Sequence, residues 1–441
     1  YREYSAEVKH ALALGLIAAG VQVVDIGLAL SPVAYFAQFA YDAPGVAMVT
    51  ASHNENGWTG VKMGLHRPLT FGPNDMANLR DRVARGQFTP HPGGGYAGVT
   101  DTKERYLVDL MQSVGGGFTR RLKVVVACGN GTAGAYAPDL FRRLGCDVIE
   151  HYCDLDYTFP HYNPNPEDVA MLHDLGDVVR RTRADIGFGF DGDGDRCGVV
   201  DHTGTEVFAD KVGVMLARFL SSPAGGNARH FIADVKSTGL YATDPVLTER
   251  GVKTEYWITG HAYMKHQLYE SGATASFEKS GHFFFGAPIG RGYDDGLFSA
   301  LQVCRMVSSA HGQTLADLYA ELPQTWLSPT MHRTCPDDRK YIVTEQMVKL
   351  IQGMADRGET LAGQGIASVN TVNGVRVGVA DGTWGLFRAS SNKPEVVIVV
   401  ESPVSEARMF DMFHAIEDLI ATHFPDVGAY DQKIERKVAG K

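Results

Sequence analysis

Helical and strand-like segments alternate along the 441 residues and restart three times, which predicts an α/β chain with three similar α/β units. A fourth, smaller α+β unit follows from Cys335 onward, where the rhythm changes to short strands between two helices. A hydrophobic share of 44% is enough to bury ordinary globular cores in each unit.

In the opening unit, Ala6 to Gly20 spaces its apolar residues as a helix does, and Gly20 suits a helix C-terminus. Val21 to Gly27 then reads as a buried strand. The second unit opens on the strand Leu122 to Cys128, followed by a glycine-rich turn, a helix from Tyr136 to Leu144 and a strand at Cys146 to Ile149. The third opens on His230 to Val235. In the last unit, a helix is expected near Tyr341 to Arg357, strands at 367–372, 375–379 and 396–401, and a helix from Ser405 to about His423. Gly115-Gly-Gly117 and the Pro/Gly-rich stretch Ser221 to Asn227 mark linkers. The domains are accordingly 1–115, 116–222, 223–334 and 335–441.

Net charge is -10, with acidic and basic residues interspersed and no Lys/Arg block, which argues against nucleic acid as a partner. No run of about 18 apolar residues occurs, so no membrane span is expected. Arg2, Glu3 and Glu7 stand where a signal peptide would be apolar. The six cysteines form no CxxC pair and read as reduced, buried thiols of a cytoplasmic protein.

Four short segments carry chemistry. Thr50-Ala-Ser-His-Asn54, with Lys62 shortly after, is a polar loop behind a strand; it reads either as a solvated capped turn or as a nucleophile loop. Asp191, Asp193 and Asp195 alternate with glycines before Arg196, and three carboxylates in five residues need a cation. An EF-hand would want Gly and Glu where Arg196 and His202 stand, so a Mg²⁺ loop open to a phosphate ligand is favoured over it. Glu278, Ser280 and His282 alternate, so an extended backbone would point all three to one side as a comb for sugar hydroxyls; a polar strand end is the plainer alternative. Arg388, Ser390, Ser391, Asn392 and Lys393 precede a strand and suit either a phosphate cradle or a β-turn.

Together and in this order, the four segments resemble the α-D-phosphohexomutase superfamily, over a span from Arg2 to beyond Pro394. The resemblance implies four domains around a central cleft. It makes Ser52 the phosphorylated serine and a Mg²⁺ ligand, with Asp191, Asp193 and Asp195 as the other ligands and Arg196 beside the reacting group. It gives the Glu278, Ser280 and His282 loop to the sugar and the Arg388, Ser390, Ser391 and Asn392 loop to a phosphate. Gly260-His261 and Asp234-Val-Lys236 match further family segments. His53, Lys62 and His261 become acid/base candidates, and Lys236 a substrate contact. The implied domains are a phosphoserine, a Mg²⁺-binding, a sugar-binding and a phosphate-binding domain.

The implied reaction interconverts hexose 1-phosphate and hexose 6-phosphate through a hexose 1,6-bisphosphate, which also serves as activator. Gly292-Tyr-Asp-Asp-Gly296 looks like the phosphomannomutase/phosphoglucomutase branch; phosphoglucosamine mutase, a phosphatase that works through a phosphoserine and lets water take the phosphate, and a phosphosugar-binding homologue without full activity are the rivals. Two departures stand out. The phosphate loop reads Ser391-Asn392-Lys393 where Asn-Thr-Glu is usual. The sequence also opens at Tyr1-Arg2, late in the family pattern, so the first sheet is expected to lack at least one strand.

Overall fold

A computed structural model describes residues 1–391, 393–431 and 433–434. Two compact bodies emerge. The first contains residues 1–231 and 261–321; the second contains 232–260 and the described residues from 322 onward.

The first body begins with the helix Ser5–Ala18, which buries none of its residues although it is rich in apolar ones; Leu14 is 68% exposed. The strand Gln22–Asp25 is half-exposed rather than buried, with Val24 at 42%. The physical reason is its single partner, the parallel strand Gly95–Gly98. The hairpin Val46–Thr50 with Gly60–Gly64 forms a separate antiparallel ladder, registered Thr50 to Gly60. The helix Ser31–Ala40 supplies most of the local core, burying Ser31 through Gln38.

Next comes a five-stranded sheet. Its strand Lys123–Ala127 pairs in parallel with the edge strand Asp147–His151 on one side and the central strand Ile186–Phe190 on the other. Cys197–Asp201 then pairs antiparallel with Ile186–Phe190, and both strands are buried throughout. The connection between these two strands is Asp191 to Arg196, so the acidic loop is the turn of a fully buried hairpin. No flanking helix pair of the EF-hand kind is present there. Further along, the short strands Ala275–Phe277 and Phe283–Phe285 pair antiparallel and carry the sugar-loop sequence between them.

The second body is built on the antiparallel sheet of the C-terminal segment. Its longest strand, Glu395–Ser402, alternates in the manner of a strand covered on both faces. Val396, Ile398 and Val400 join the core made by the helices Asp337–Asp356 and Glu406–His423. Val397 and Val399 turn the other way and pack with Val235, Trp384 and Leu386. That second face is why residues 232–260 group with the C-terminal segment. Ser405 caps the last helix, its hydroxyl accepting from Arg408 N at 3.1 Å.

Among the described residues no helix is long and apolar enough to cross a membrane. Ile398 is completely buried between sheet and helices. Ile398→Ala should therefore cost about 2–5 kcal/mol, read in urea unfolding, while Val83→Ala at an exposed site stays within about 0.5 kcal/mol.

Candidate functional site

Ser52 sits just past the strand Val46–Thr50, in a left-handed backbone conformation with φ of 48°. A non-glycine residue holds that conformation only when its surroundings fix it. Here Ser52 N donates to Thr50 Oγ1 at 2.9 Å, and Arg2 Nη2 donates to Ser52 O at 2.6 Å. The resulting bend turns Ser52 Oγ onto Asp191 Oδ2 at 3.0 Å and brings it within 3.2 Å of His53 Nδ1. Neighbours in sequence need not face each other; these two do because of that bend.

Asp191, Asp193 and Asp195 are buried, and their ligand atoms lie within 4.8 Å of one another. At that separation two unit charges repel by about 3 kcal/mol for an effective dielectric of ~20, so three carboxylates stay ionised together only with cationic help. Lys62 supplies part of it: Nζ is 2.9 Å from Asp193 Oδ2 and also pairs with Asp195. Burial works against the Lys62 charge, but Asp193 and Asp195 outweigh it and hold the ammonium well above its ordinary value. Burial would likewise raise Asp193; Lys62, Ser31 and Thr50 prevail and hold it low. Ser31 Oγ donates to Asp193 Oδ2 at 2.6 Å and Thr50 Oγ1 to the same oxygen at 2.8 Å. Asp191 has no such lysine. Burial, then the charges of Asp195 and Asp193, push it well up.

Two carboxylate oxygens, Asp193 Oδ1 and Asp195 Oδ1, are buried with no hydrogen-bond partner. Unspent carboxylate oxygens in a cluster of three carboxylates fit a hard, oxygen-seeking divalent cation. The glycines let the loop reach this position. A Cβ on Gly192 would lie 2.4 Å from Ser52 O, and Gly194 has φ of +73°.

Arg196 lies beside this cluster. Its Nη1 is 3.1 Å from Glu167 Oε2, and its Nε donates to His282 Nε2 at 2.9 Å. The other nitrogen of His282, Nδ1, faces two carboxylates, Asp294 at 3.0 Å and Asp195 at 3.7 Å. A nitrogen between carboxylates carries the proton and one facing a guanidinium donor does not, so His282 holds Arg196 as an acceptor. Asp294 is in turn 2.8 Å from Lys265, which is fully buried over the Tyr35 ring at 4.0 Å. His261, the first residue of the helix His261–Ser271, lies 6.2 Å ring to ring from His282. Burial, then Lys265, keeps its imidazole neutral. Arg196, then burial, pushes His53 down to about 3.

The sugar-loop residues meet differently from the extended comb the alternation suggested. Residues 278–282 form a tight turn: Gly281 N donates to Glu278 O at 3.1 Å, Glu278 N to His282 O at 2.9 Å, and Gly281 has φ of +90°. Ser280 Oγ donates to Glu278 Oε2 at 2.9 Å, both side chains buried. Cys197 N donates to Gly281 O at 3.2 Å, stitching this turn to the acidic loop.

Lys236, Arg388, Ser390 and Ser391 belong to the second body; Asn392 lies outside the described residues. Arg388 Nε donates to Asn373 Oδ1 at 2.8 Å and Nη2 to Ser391 Oγ at 3.2 Å. Lys393 N donates to Ser390 Oγ at 3.3 Å. Asn373 Oδ1 also accepts from Thr259 N at 3.4 Å, and Thr259 Oγ1 donates to Asp234 Oδ2 at 3.0 Å. The Asp234-Val-Lys236 and Arg388 loops are thus tied through two side chains. Sequence reasoning missed Ser31, Lys265 and Asp294. Asp294 alone had a signal, lying in the quoted Gly292 to Gly296 segment.

The chain matches three family profiles, described as phosphoglucomutase/phosphomannomutase alpha/beta/alpha domains I, II and III, over residues 1–90, 104–204 and 208–326. A Pseudomonas putida phosphomannomutase/phosphoglucomutase is 34% identical over 401 residues, 90% of this chain and 82% of that one. A Neisseria gonorrhoeae phosphoglucomutase is 30% identical over 404 residues, 91% of this chain and 84% of that one. The crystal structure of a phosphoglucomutase/phosphomannomutase family protein from Burkholderia thailandensis superposes with a TM-score of 0.80 at 30% identity, covering 97% of this chain and 88% of that one. The chain belongs to the phosphoglucomutase/phosphomannomutase family.

Gly192→Ala tests the contact between the acidic loop and Ser52. The added methyl must displace the Ser52 carbonyl from 2.4 Å. Mg²⁺ affinity by titration calorimetry should fall about 10-fold or more, in line with the cost of misplacing site groups by about 1 Å. Unchanged affinity would contradict the packing described.

Proposed function

We propose that the chain is a Mg²⁺-dependent phosphohexomutase that interconverts the 1- and 6-phosphates of mannose or glucose. The observation that carries this reading is Ser52 Oγ, 3.0 Å from Asp191 in a cluster with two unspent carboxylate oxygens. Names of relatives that act on glucose or mannose phosphates support the substrate class.

Ser52 carries the phosphoryl group. A sugar hydroxyl attacks phosphorus, the new sugar O–P bond forms as the Ser52 Oγ–P bond breaks, the hydroxyl proton passes to a nearby base, and the departing Ser52 Oγ takes up a proton to regenerate the serine hydroxyl. The product is a hexose 1,6-bisphosphate, which returns its other phosphate to Ser52 after turning over; added bisphosphate therefore activates the enzyme. Mg²⁺ held by Asp191, Asp193, Asp195 and the Ser52 phosphate would offset charge on the moving phosphoryl group. Lys62 and Arg196 add fixed positive charge at the same place, and His282 with Asp294 keeps the guanidinium oriented. His53, its Nδ1 3.2 Å from Ser52 Oγ, and His261 are held neutral and stand as acid/base candidates.

Glu278 and Ser280 serve the sugar hydroxyls; Arg388, Ser390, Ser391 and Asn392 serve the phosphate that is not reacting. A carboxylate accepts hydroxyl hydrogen bonds but repels phosphate, and a guanidinium does the reverse. Peptide mass spectrometry should find phosphate on Ser52, and Ser52→Ala should lose the label and the mutase activity together. A Ser52→Ala variant with near-full activity would sink the mechanism.

The two loops should separate in kinetics. Glu278→Ala should lower kcat/KM at least ~10-fold and unequally for glucose 1-phosphate and mannose 1-phosphate. Arg388→Ala should weaken both sugars alike, since each presents the same phosphate. Steady-state rates on both sugars, with trace bisphosphate present, decide the matter. A changed sugar preference in Arg388→Ala together with wild-type rates in Glu278→Ala would reverse the assignment.

A further inference from the structure

Lys236 is 7% exposed and has no ion-pair partner among the described residues. Its backbone, by contrast, is held from several sides. Arg376 Nη1 donates to Val235 O at 2.8 Å and to Ser237 O at 2.7 Å, the carbonyls on either side of Lys236. Tyr256 donates its hydroxyl to Thr238 O at 2.7 Å. Glu401 accepts from Thr238 Oγ1 at 2.7 Å and from Gly239 N at 2.6 Å.

Arg376 reaches those carbonyls because of strand alternation. It lies on the strand Val375–Val379, where Val375, Val377 and Val379 face the helices, so Arg376 faces the other way. Its guanidinium is sandwiched between the rings of Tyr256 at 4.1 Å and Trp384 at 3.6 Å. Trp384 is fixed in turn by donating Nε1 to Glu401 at 2.8 Å. Arg376 is only 8% exposed and has no carboxylate partner among the described residues. Burying a guanidinium is costly unless its protons are satisfied. Here Nη1 donates to two carbonyls and the guanidinium lies over two rings, a use for which lysine is no substitute.

We propose that Arg376 is a positioning residue: it clamps the backbone on both sides of Lys236 so that the Lys236 ammonium is presented, already ordered, to an anionic substrate. The substrate side of this inference rests on the phosphohexomutase reading above; the clamp itself does not. Holding a flexible lysine in advance removes ordering that binding would otherwise have to supply.

Two measurements on the full chain test it. In steady-state kinetics with glucose 1-phosphate, Lys236→Met and Arg376→Met should each lower kcat/KM about 10-fold. The double variant should be no more than about twofold worse than Lys236→Met alone, because the residues act as one unit. Arg376→Lys keeps the charge but not the stacked fork; it gives the same test where methionine prevents folding. Losses that multiply, or Arg376 variants at the wild-type rate, overturn the proposal. The second measurement needs no turnover: acylation of Lys236 by an amine reagent, mapped by peptide mass spectrometry. Arg376→Lys should accelerate labelling at Lys236 several-fold and leave the exposed Lys253 unchanged; an unaltered Lys236 rate overturns the clamp. Should the wild type fail to turn over hexose phosphates, the functional reading falls, and the labelling result alone decides the role of Arg376.

Discussion

The charge balance of three buried aspartates governs the first body. Asp191, Asp193 and Asp195 are brought out of water on a hairpin whose two strands are buried throughout. Within that hairpin Arg196 offsets only Asp191, with Nε 3.8 Å from Oδ2. The rest of the help comes from elsewhere in the chain: Lys62 from a second hairpin, and hydroxyls from Ser31 and Thr50. Satisfying the carboxylates therefore fixes the position of the Ser52 loop, whose own strained bend puts the hydroxyl against Asp191. The same cluster orders the next layer, since Arg196 reaches His282, His282 reaches Asp294, and Asp294 is held by a buried lysine. The charge imbalance leaves Asp193 Oδ1 and Asp195 Oδ1 buried and unspent, an arrangement that suits a divalent cation.

The second body solves a different problem. It buries long cationic side chains and holds them in place through hydrogen bonds and ring contacts. Arg388 is braced by Asn373, and the backbone around Lys236 by Arg376, Tyr256 and Glu401. All of these come from one sheet face or the segment packed on it, which explains why residues 232–260 group with the C-terminal segment rather than with their sequence neighbours.

Much of this was legible in the sequence. The acidic loop compresses three carboxylates into five residues, so side-chain type alone pointed to a cation; the serine and phosphate loops were assigned roles only through the family resemblance. The two long helices and the strands at 375–379 and 396–401 of the C-terminal segment followed from periodicity, whereas the interior strand Trp384–Ala389 was not foreseen. Misreadings arose where tertiary context decides. Val21 to Gly27 looked like a buried strand, but a strand with one partner stays half-exposed. Alternation of Glu278, Ser280 and His282 suggested an extended comb, whereas Gly281 makes a turn. Ser31 lies 162 residues from the aspartate it supports, and Arg376 lies 141 residues from Val235. No local pattern encodes such a pairing.

A single chase measures whether phosphate leaves Ser52 for a sugar hydroxyl. The enzyme is labelled on Ser52 with radioactive phosphate, freed of excess label and mixed with unlabelled glucose 1-phosphate in Mg²⁺. The account predicts that the label appears in hexose bisphosphate and hexose 6-phosphate, with inorganic phosphate a minor product. Label released mainly as inorganic phosphate would identify water as the acceptor and contradict the account.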